Sequence, residues 1–163
     1  MKDESLHGGC ACGYVRFVMR GPPMMVHCCH CTWCQRETGT GFALNALIER
    51  DRVECLKGEV EVVDTPTASG DGQLIARCPR CRVAVWSQYA LGRIRDLVYF
   101  VRVGALDTPS AVPPDIHIFT STKLPWVILD DGVPVFEEYY RADEVWSAES
   151  LRRRQALKDS LTT

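Results

Sequence analysis

The segment Gly8-Gly9-Cys10-Ala11-Cys12-Gly13 decides the fold together with its counterpart Cys78-Pro79-Arg80-Cys81, which lies far along the chain. Two cysteines separated by one or two residues can both point inward from a tight turn, and neighbouring glycines permit such a turn. Because structural zinc takes four ligands in a tetrahedron, two such pairs brought together supply one closed site. The predicted ligands of this site are Cys10, Cys12, Cys78 and Cys81. Because the two cysteine pairs lie far apart in the sequence, binding one zinc ion to both of them couples zinc binding to folding.

A second cysteine cluster occupies Cys28-Cys29-His30-Cys31-Thr32-Trp33-Cys34. Its C-x-C-x-x-C set consists of Cys29, Cys31 and Cys34. Three protein ligands with one exchangeable position are typical of a catalytic zinc. A site with three thiolates is also soft, so it suits an incoming sulfur ligand, whose thiolate form it stabilises near neutral pH.

Spacing alone leaves the ligand set of the second cluster open. Cys28, Cys31 and Cys34 are also separated by gaps of two residues, so Cys28 could replace Cys29 as a ligand. His30 or His27 could serve as a fourth ligand and make the site purely structural, although His30 lies between two ligands and is expected to point away from the metal. If Cys28 is not a ligand, it is expected to be a small buried hydrophobe. The isolated Cys55 is expected to be another.

The composition of the 163-residue chain is that of one soluble domain, with 46% hydrophobic and 25% charged residues. Its formal net charge of −2 differs from the strongly basic character of nucleic-acid-binding proteins, so no nucleic-acid partner is expected. Residues 1–9 contain no apolar segment of a signal peptide, and no apolar stretch is long enough to span a membrane. We therefore expect a cytoplasmic protein with no membrane partner, in which cysteines stay reduced and available to metal.

Strand signals dominate the rest of the sequence. Alternating or β-branched runs predict strands at 14–19, 42–48, 59–64, 73–77, 83–87, 97–103, 116–120 and 133–137. The two strands that flank the Cys78 pair form a predicted hairpin with the cysteines at its turn. Helices are expected only at 31–37 and 142–161, the second of them capped by Ser147. The predicted fold class is mainly β, with a single compact domain of packed antiparallel sheets and zinc-binding knuckles over 1–140 and a helical tail over 141–163.

Several separated motifs occur in an order and spacing that are specific to one known family. The motifs are Gly8-Gly9-Cys10-Ala11-Cys12-Gly13 with 14–17, Cys29-His30-Cys31-Thr32-Trp33-Cys34 with 35–42, Cys78-Pro79-Arg80-Cys81, His117-Ile118-Phe119, Lys123-Leu124-Pro125-Trp126 and Asp131-Gly132-Val133-Pro134. With them the chain resembles the family of the glutathione-dependent formaldehyde-activating enzyme and centromere protein V. The resemblance implies a β fold like that of the Rab-associated zinc proteins and methionine sulfoxide reductase B.

The resemblance also implies two zinc ions per chain, one structural and one catalytic. It places the structural zinc at the four-cysteine set and the second zinc at Cys29, Cys31 and Cys34, so it favours Cys29 over Cys28. The implied activity is that of a carbon–sulfur lyase, similar to S-(hydroxymethyl)glutathione synthase, with glutathione and an aldehyde as small-molecule partners. The chain departs from the family pattern at Gln35, where an arginine is common, and at Arg82, where a glycine is usual.

The lyase reaction needs further groups, for which the sequence offers candidates. His30 and Glu37 are candidates for the base that handles the hydroxyl proton of the adduct. The candidates for binding the carboxylates of glutathione are Arg36, Arg82 and Lys123. Trp126 is expected to pack in the core. The alternative function is a non-catalytic, zinc-stabilised binding module for a protein partner, in which both zinc ions are structural.

Overall fold

The computed structural model describes residues 5–89, 92–129 and 132–162, and over these residues the strands form two sheets. The small sheet contains β1 (Ser5–Gly9), β2 (Arg16–Arg20) and β5 (Val53–Lys57). Strand β2 lies in the middle and pairs antiparallel with both neighbours. The turn between β1 and β2 carries the first cysteine pair, so this pair belongs to the small sheet.

The large sheet contains seven strands among the described residues. These strands are β3 (Met25–Cys29), β4 (Ala43–Glu49), β6 (Glu61–Thr65), β7 (Gln73–Arg77), β8 (Ala84–Tyr89), β9 (Val98–Arg102) and β10 (Ile116–Ile118). Their order across the sheet is β10-β3-β4-β9-β8-β7-β6. Neighbouring strands are antiparallel except at one edge, where β10 runs parallel to β3. The second cysteine pair lies in the turn between β7 and β8.

The main core lies between the two sheets. Side chains alternate along a strand, so every second residue of the large sheet points toward the small sheet. Trp86 and Val101 are among the residues on this face, and they pack with Phe17 and Met19 of the small sheet. Phe17 meets Trp86 edge-to-face, with ring centroids 5.5 Å apart. This contact is one of the apolar contacts that pack the small sheet against the large one.

The opposite face of the large sheet is covered by helices and by the C-terminal part of the chain. The helices are α1 (Thr32–Thr38), α2 (Ala142–Val145) and α3 (Ala148–Ser160). Trp146, between α2 and α3, is buried in a second apolar cluster with Leu47 and Val98 of the sheet. The Ser150 hydroxyl donates to the carbonyl of Met24 at 2.8 Å. The C-terminal segment therefore completes the core of the described residues rather than hanging free of it.

The mainly β fold class predicted from the sequence is confirmed, and all but one of the predicted strands are present. Residues 133–137 form no strand, and Val135 makes only an isolated bridge to His117. Pro134 lacks an N–H group, so this segment cannot continue the ladder. Strands β1, β3 and β5 were not predicted. Gly8 and Gly9 weaken the strand signal of β1, and the cysteines of β3 were interpreted as a metal site.

The predicted C-terminal helix is present but interrupted. The chain breaks at Trp146, and Ser147 then caps α3 as predicted, accepting a hydrogen bond from the backbone N–H of Ser150 at 3.1 Å. Asp131, in the last family motif, lies outside the described residues. No helix in the described part of the chain is long and apolar enough to cross a membrane.

A buried ion pair between Glu49 and Arg153 joins the large sheet to α3. The guanidinium donates to both carboxylate oxygens, and the two side chains are only 10% and 13% exposed. We expect Glu49→Gln to lower the free energy of unfolding by about 2–3 kcal/mol, because it leaves a buried guanidinium without its counter-charge. Urea denaturation at pH 7 measures this loss.

The matched control is Glu54→Gln, which removes the surface pair between Glu54 and Arg20 and should cost less than about 1 kcal/mol. Burial opposes ionisation of Glu49, but Arg153 outweighs it and lowers the pKa of this carboxyl below its ordinary 4.5. The contribution of the pair is therefore lost as the pH falls through that lowered pKa, and the difference between wild type and Glu49→Gln should narrow in acid. Equal losses in the two variants at pH 7 would contradict this role for Glu49.

Candidate metal centres

The two cysteine pairs of the knuckles meet where the small and large sheets adjoin. One sulfur from each of four residues lies within 4.8 Å of all the others, and the residues are Cys10, Cys12, Cys78 and Cys81. The Sγ atom of Cys12 is 3.6 Å from that of Cys10 and 3.7 Å from that of Cys78. A tetrahedron with Zn–S bonds near 2.3 Å has edges of about 3.8 Å. The spacing of the sulfurs therefore fits a closed tetrahedral zinc site.

Backbone N–H groups support the sulfurs of this four-cysteine cluster. Val15 donates to Cys10 Sγ at 3.2 Å, and Arg80 donates to Cys78 Sγ at 3.4 Å. Burial opposes ionisation of Cys10, but hydrogen bonds from Val15 and the neighbouring thiols outweigh it and lower the pKa of Cys10 to about 6. A sulfur that is already held as a thiolate is prepared to act as a metal ligand. Arg82, which follows the second pair, adopts φ 66°, the left-handed conformation that favours glycine.

The second cluster lies at the end of β3 and the beginning of α1. Cys29 is the last residue of β3, Cys31 caps α1, and Cys34 lies in its first turn, so a strand end and a helix start bring the three sulfurs within 4.8 Å of one another. The backbone N–H of Cys34 donates to Cys31 Sγ at 3.3 Å. Gln35 fixes the adjoining loop, since its amide donates to the carbonyl of His30 at 2.9 Å. The residue that departs from the family pattern thus has a structural role here.

Hydrogen bonding within the three-cysteine cluster favours one thiolate and two thiols. The thiols of Cys29 and Cys34 donate to Cys31 and lower the pKa of Cys31. The pKa values of Cys29 and Cys34 are raised, chiefly by the neighbouring sulfurs. A metal ion would replace these shared protons, so metal binding would release protons. The donor set therefore suits a thiophilic ion such as zinc.

The structure groups Cys29, rather than Cys28, with the other two sulfurs. Adjacent residues of a strand point to opposite faces, so Cys28 lies on the other side of the large sheet from Cys29. Cys28 Sγ is 3.5 Å from His30 Nε2, and His30 is fully buried. His27 is engaged as well, because its Nε2 atom lies 2.6 Å from the Tyr140 hydroxyl. Neither histidine joins the three-sulfur cluster among the described residues.

The two candidate bases are both engaged elsewhere in the structure. Glu37 is 8% exposed, and its two carboxylate oxygens accept from Arg77 and from Arg102, the latter at 2.7 Å. Burial and the neighbouring His117 lower the pKa of His30 to about 4, and its Nε2 atom lies 2.9 Å from His117 Nδ1. The geometry does not support the prediction that either residue is a free base at the three-cysteine cluster.

Of the three cationic candidates, Arg36 alone makes no hydrogen bond or ion pair with the residues that the structure describes. Arg82 pairs with Glu61, and Lys123 Nζ donates to the carbonyls of Leu124 and Val127. Arg36 is on α1, close in sequence to Cys34, and lines an open groove of about 620 Å³.

Two predictions about individual side chains are wrong. Trp126 lines the same groove and is 69% exposed, so it is not a core residue. Cys55 is exposed rather than buried, and its thiol contacts only backbone carbonyls near the end of β5. Cys28, by contrast, is buried as predicted.

The sheets and the cysteine clusters define a class of mainly β proteins that carry one closed cluster of four cysteines and a separate cluster of three. A sequence model of the family described as "Glutathione-dependent formaldehyde-activating enzyme" matches residues 5–122, so the chain belongs to this family. A solved structure of a Rhodobacter sphaeroides protein is 19% identical, covers 67% of this chain and 92% of its own, and aligns with a TM-score of 0.45. No curated protein matches the chain.

Replacing one member of the four-cysteine cluster should prevent folding. We expect Cys78→Ser to lose one metal ion per chain and its cooperative thermal transition, because a structural zinc contributes roughly 10–16 kcal/mol, as much as the whole stability of a domain. The control is Cys55→Ser, a cysteine outside the clusters, which should change stability by no more than about 0.5 kcal/mol. Metal analysis and calorimetry make the comparison, and a Cys78→Ser protein with wild-type stability would refute a structural role for the cluster.

Proposed function

We propose that the protein is a zinc-dependent carbon–sulfur lyase that joins glutathione and formaldehyde into S-hydroxymethylglutathione and cleaves the adduct again. The observation that carries this proposal is the three-cysteine cluster of Cys29, Cys31 and Cys34. Among the described residues no fourth cysteine, histidine or carboxylate belongs to it. Zinc takes four ligands, so a protein site with three leaves one position for a substrate atom. In the four-cysteine cluster, by contrast, the protein fills every position.

The four-cysteine cluster would contribute to stability and the three-cysteine cluster to the chemistry. Cys10, Cys12, Cys78 and Cys81 would hold a structural zinc, and the three-cysteine cluster would hold the second zinc of each chain. When bound there, a zinc ion supplies chemistry by lowering the pKa of an incoming thiol, which makes a thiolate available near neutral pH. The protein contributes three soft ligands on a strand end and a helix start, two elements that the fold holds rigidly.

In the forward reaction the glutathione sulfur attacks the aldehyde carbon. A carbon–sulfur bond forms, the carbonyl π bond breaks, and the oxygen takes up one proton to become a hydroxyl group. The reverse reaction removes that proton and breaks the carbon–sulfur bond. Because Glu37 and His30 are engaged with other side chains, we infer that this proton exchanges with solvent. Cys31 and Cys34 are both partly exposed, which is consistent with access of water and substrate.

Glutathione carries carboxylates, and Arg36 is the cation that we assign to one of them. Residues two apart on a helix point to different sides, so Arg36 would reach a carboxylate of glutathione from the side of α1 that faces the groove, which also contains Thr40 and Trp126. A guanidinium recognises a carboxylate through two parallel hydrogen bonds. The groove would therefore bind the charged part of the thiol while its sulfur reaches the three-cysteine cluster.

None of the nine cysteines forms a disulfide bond in the structure. Free cysteines in such number persist in a reducing compartment, so we also propose a cytoplasmic location.

The decisive test of the lyase is two-dimensional exchange NMR on an equilibrium mixture of formaldehyde, glutathione and their adduct. Zinc-loaded wild-type protein should accelerate exchange between free and adduct formaldehyde. Cys34→Ser should lower that acceleration by at least about 100-fold while the four-cysteine cluster keeps its metal. Cys55→Ser should behave as wild type. If the wild-type protein accelerates no exchange with formaldehyde or other aldehydes, the lyase proposal fails and the non-catalytic binding module takes its place.

The role of Arg36 is tested separately. Arg36→Gln should raise KM for glutathione about tenfold and leave kcat nearly unchanged, because it removes a charged contact made equally in the ground state and the transition state. The matched control is Arg152→Gln, an exposed arginine on α3, which should alter neither constant. An unchanged KM for Arg36→Gln would show that glutathione binds elsewhere.

A further inference from the structure

A third cluster of ligand-type side chains lies apart from the two cysteine sites. It consists of Cys28, His30 and His117, with one ligand atom of each within 4.8 Å of the others. Cys28 Sγ is 3.5 Å from His30 Nε2, and His30 Nε2 is 2.9 Å from His117 Nδ1. The three residues are 3%, 0% and 7% exposed. The lyase proposed above uses none of them.

The parallel edge of the large sheet builds this cluster. The register of β10 on β3 places His117 directly beside Cys28, and the backbone N–H of His30 extends the pairing by donating to the carbonyl of Ile118 at 3.0 Å. Because side chains alternate along a strand, Cys28 and His30 share one face while Cys29 points to the other. The sheet itself therefore separates the third cluster from the three-cysteine cluster.

One hydrogen bond can pair only two of the three atoms that converge here. A neutral imidazole nitrogen offers either one proton or one lone pair. His30 Nε2 lies within bonding range of both Cys28 Sγ and His117 Nδ1, so it can serve only one of them well. A metal ion, in contrast, accepts a lone pair from each of three ligands at once. The sulfur–nitrogen distance already matches the separation of two ligands on one ion, and the two rings need to part by only roughly 0.5 Å.

We propose that Cys28, His30 and His117 bind one copper(I) ion. Thiolate and imidazole are both ligands that suit copper. One thiolate and two neutral imidazoles balance the charge of a monovalent ion, so the buried site would carry no net charge. A zinc ion would leave a net positive charge in this buried site, whereas the partly exposed three-cysteine cluster can take its fourth zinc ligand from outside the protein.

The test uses the full chain loaded with zinc, to which copper(I) is added without oxygen in the presence of bicinchoninate as a competing chelator. Wild-type protein should retain about one equivalent of copper per chain and keep its zinc. X-ray absorption at the copper edge should show one sulfur and two nitrogen neighbours. Cys28→Ser should lose the retained copper, whereas Cys55→Ser, the matched cysteine control, should retain it.

Three results would overturn the copper proposal. The first is that folded, zinc-loaded wild-type protein retains no copper, and the second is that wild type and Cys28→Ser retain it equally. The third is that the bound copper has only sulfur neighbours and that zinc is released. If Cys28→Ser does not fold, His117→Gln replaces it and should likewise abolish copper retention while zinc remains bound. Cys28 lies outside the proposed lyase machinery, so Cys28→Ser should keep the exchange rate of wild type. The copper proposal can therefore fail while the lyase proposal stands, and the reverse also holds.

Discussion

The four sulfurs of the closed cluster are the contact on which the rest of the structure depends. One pair comes from the turn after β1 in the small sheet, and the other from the turn between β7 and β8 in the large sheet. Apolar packing of Phe17 on Trp86 brings the sheets together, but apolar contacts are not directional and tolerate sliding. Thiolate ligands on one tetrahedral ion would remove that freedom, since their sulfurs must lie about 3.8 Å apart. With zinc bound, the relative placement of the sheets, and of everything built on them, would follow from this tie.

Strand β3 shows how one short segment can serve two sites. Its residues alternate between the two faces of the large sheet, so Cys28 and Cys29 are neighbours in sequence and yet face different environments. Cys29 is directed to the side that α1 covers, where Cys31 and Cys34 join it. Cys28 is directed to the other side, where β10 contributes His117. Cys28 and Cys29 thus anchor both sets on a buried strand that is paired on both sides, which is more rigid than a loop.

The mainly β class and the close cysteine pairs were predictable because they depend on local patterns, whereas the choice of Cys29 over Cys28 came from the family resemblance. Alternation identified most strands, and tight cysteine pairs beside glycines identified the knuckles. The third cluster was not predictable, because it depends on the parallel register of β10 on β3, and sequence spacing carries no information about register between distant strands. The partners of Glu37 were not predictable for the same reason. Arg77 and Arg102 come from distant strands, and only the folded chain brings them to Glu37.

The two ion pairs of Glu37 limit which substitutions this chain can accept. Glu37 lies near the end of α1, and the arginines that hold it come from β7 and β9 of the large sheet. Losing the carboxylate would leave two guanidiniums facing each other in a poorly hydrated space, and losing either arginine would weaken the hold on the helix that carries Cys34. Substitutions at these three positions are therefore not independent. Homologous sequences should keep the trio or replace it as a unit, which makes it a signature for recognising chains that hold α1 in the same way.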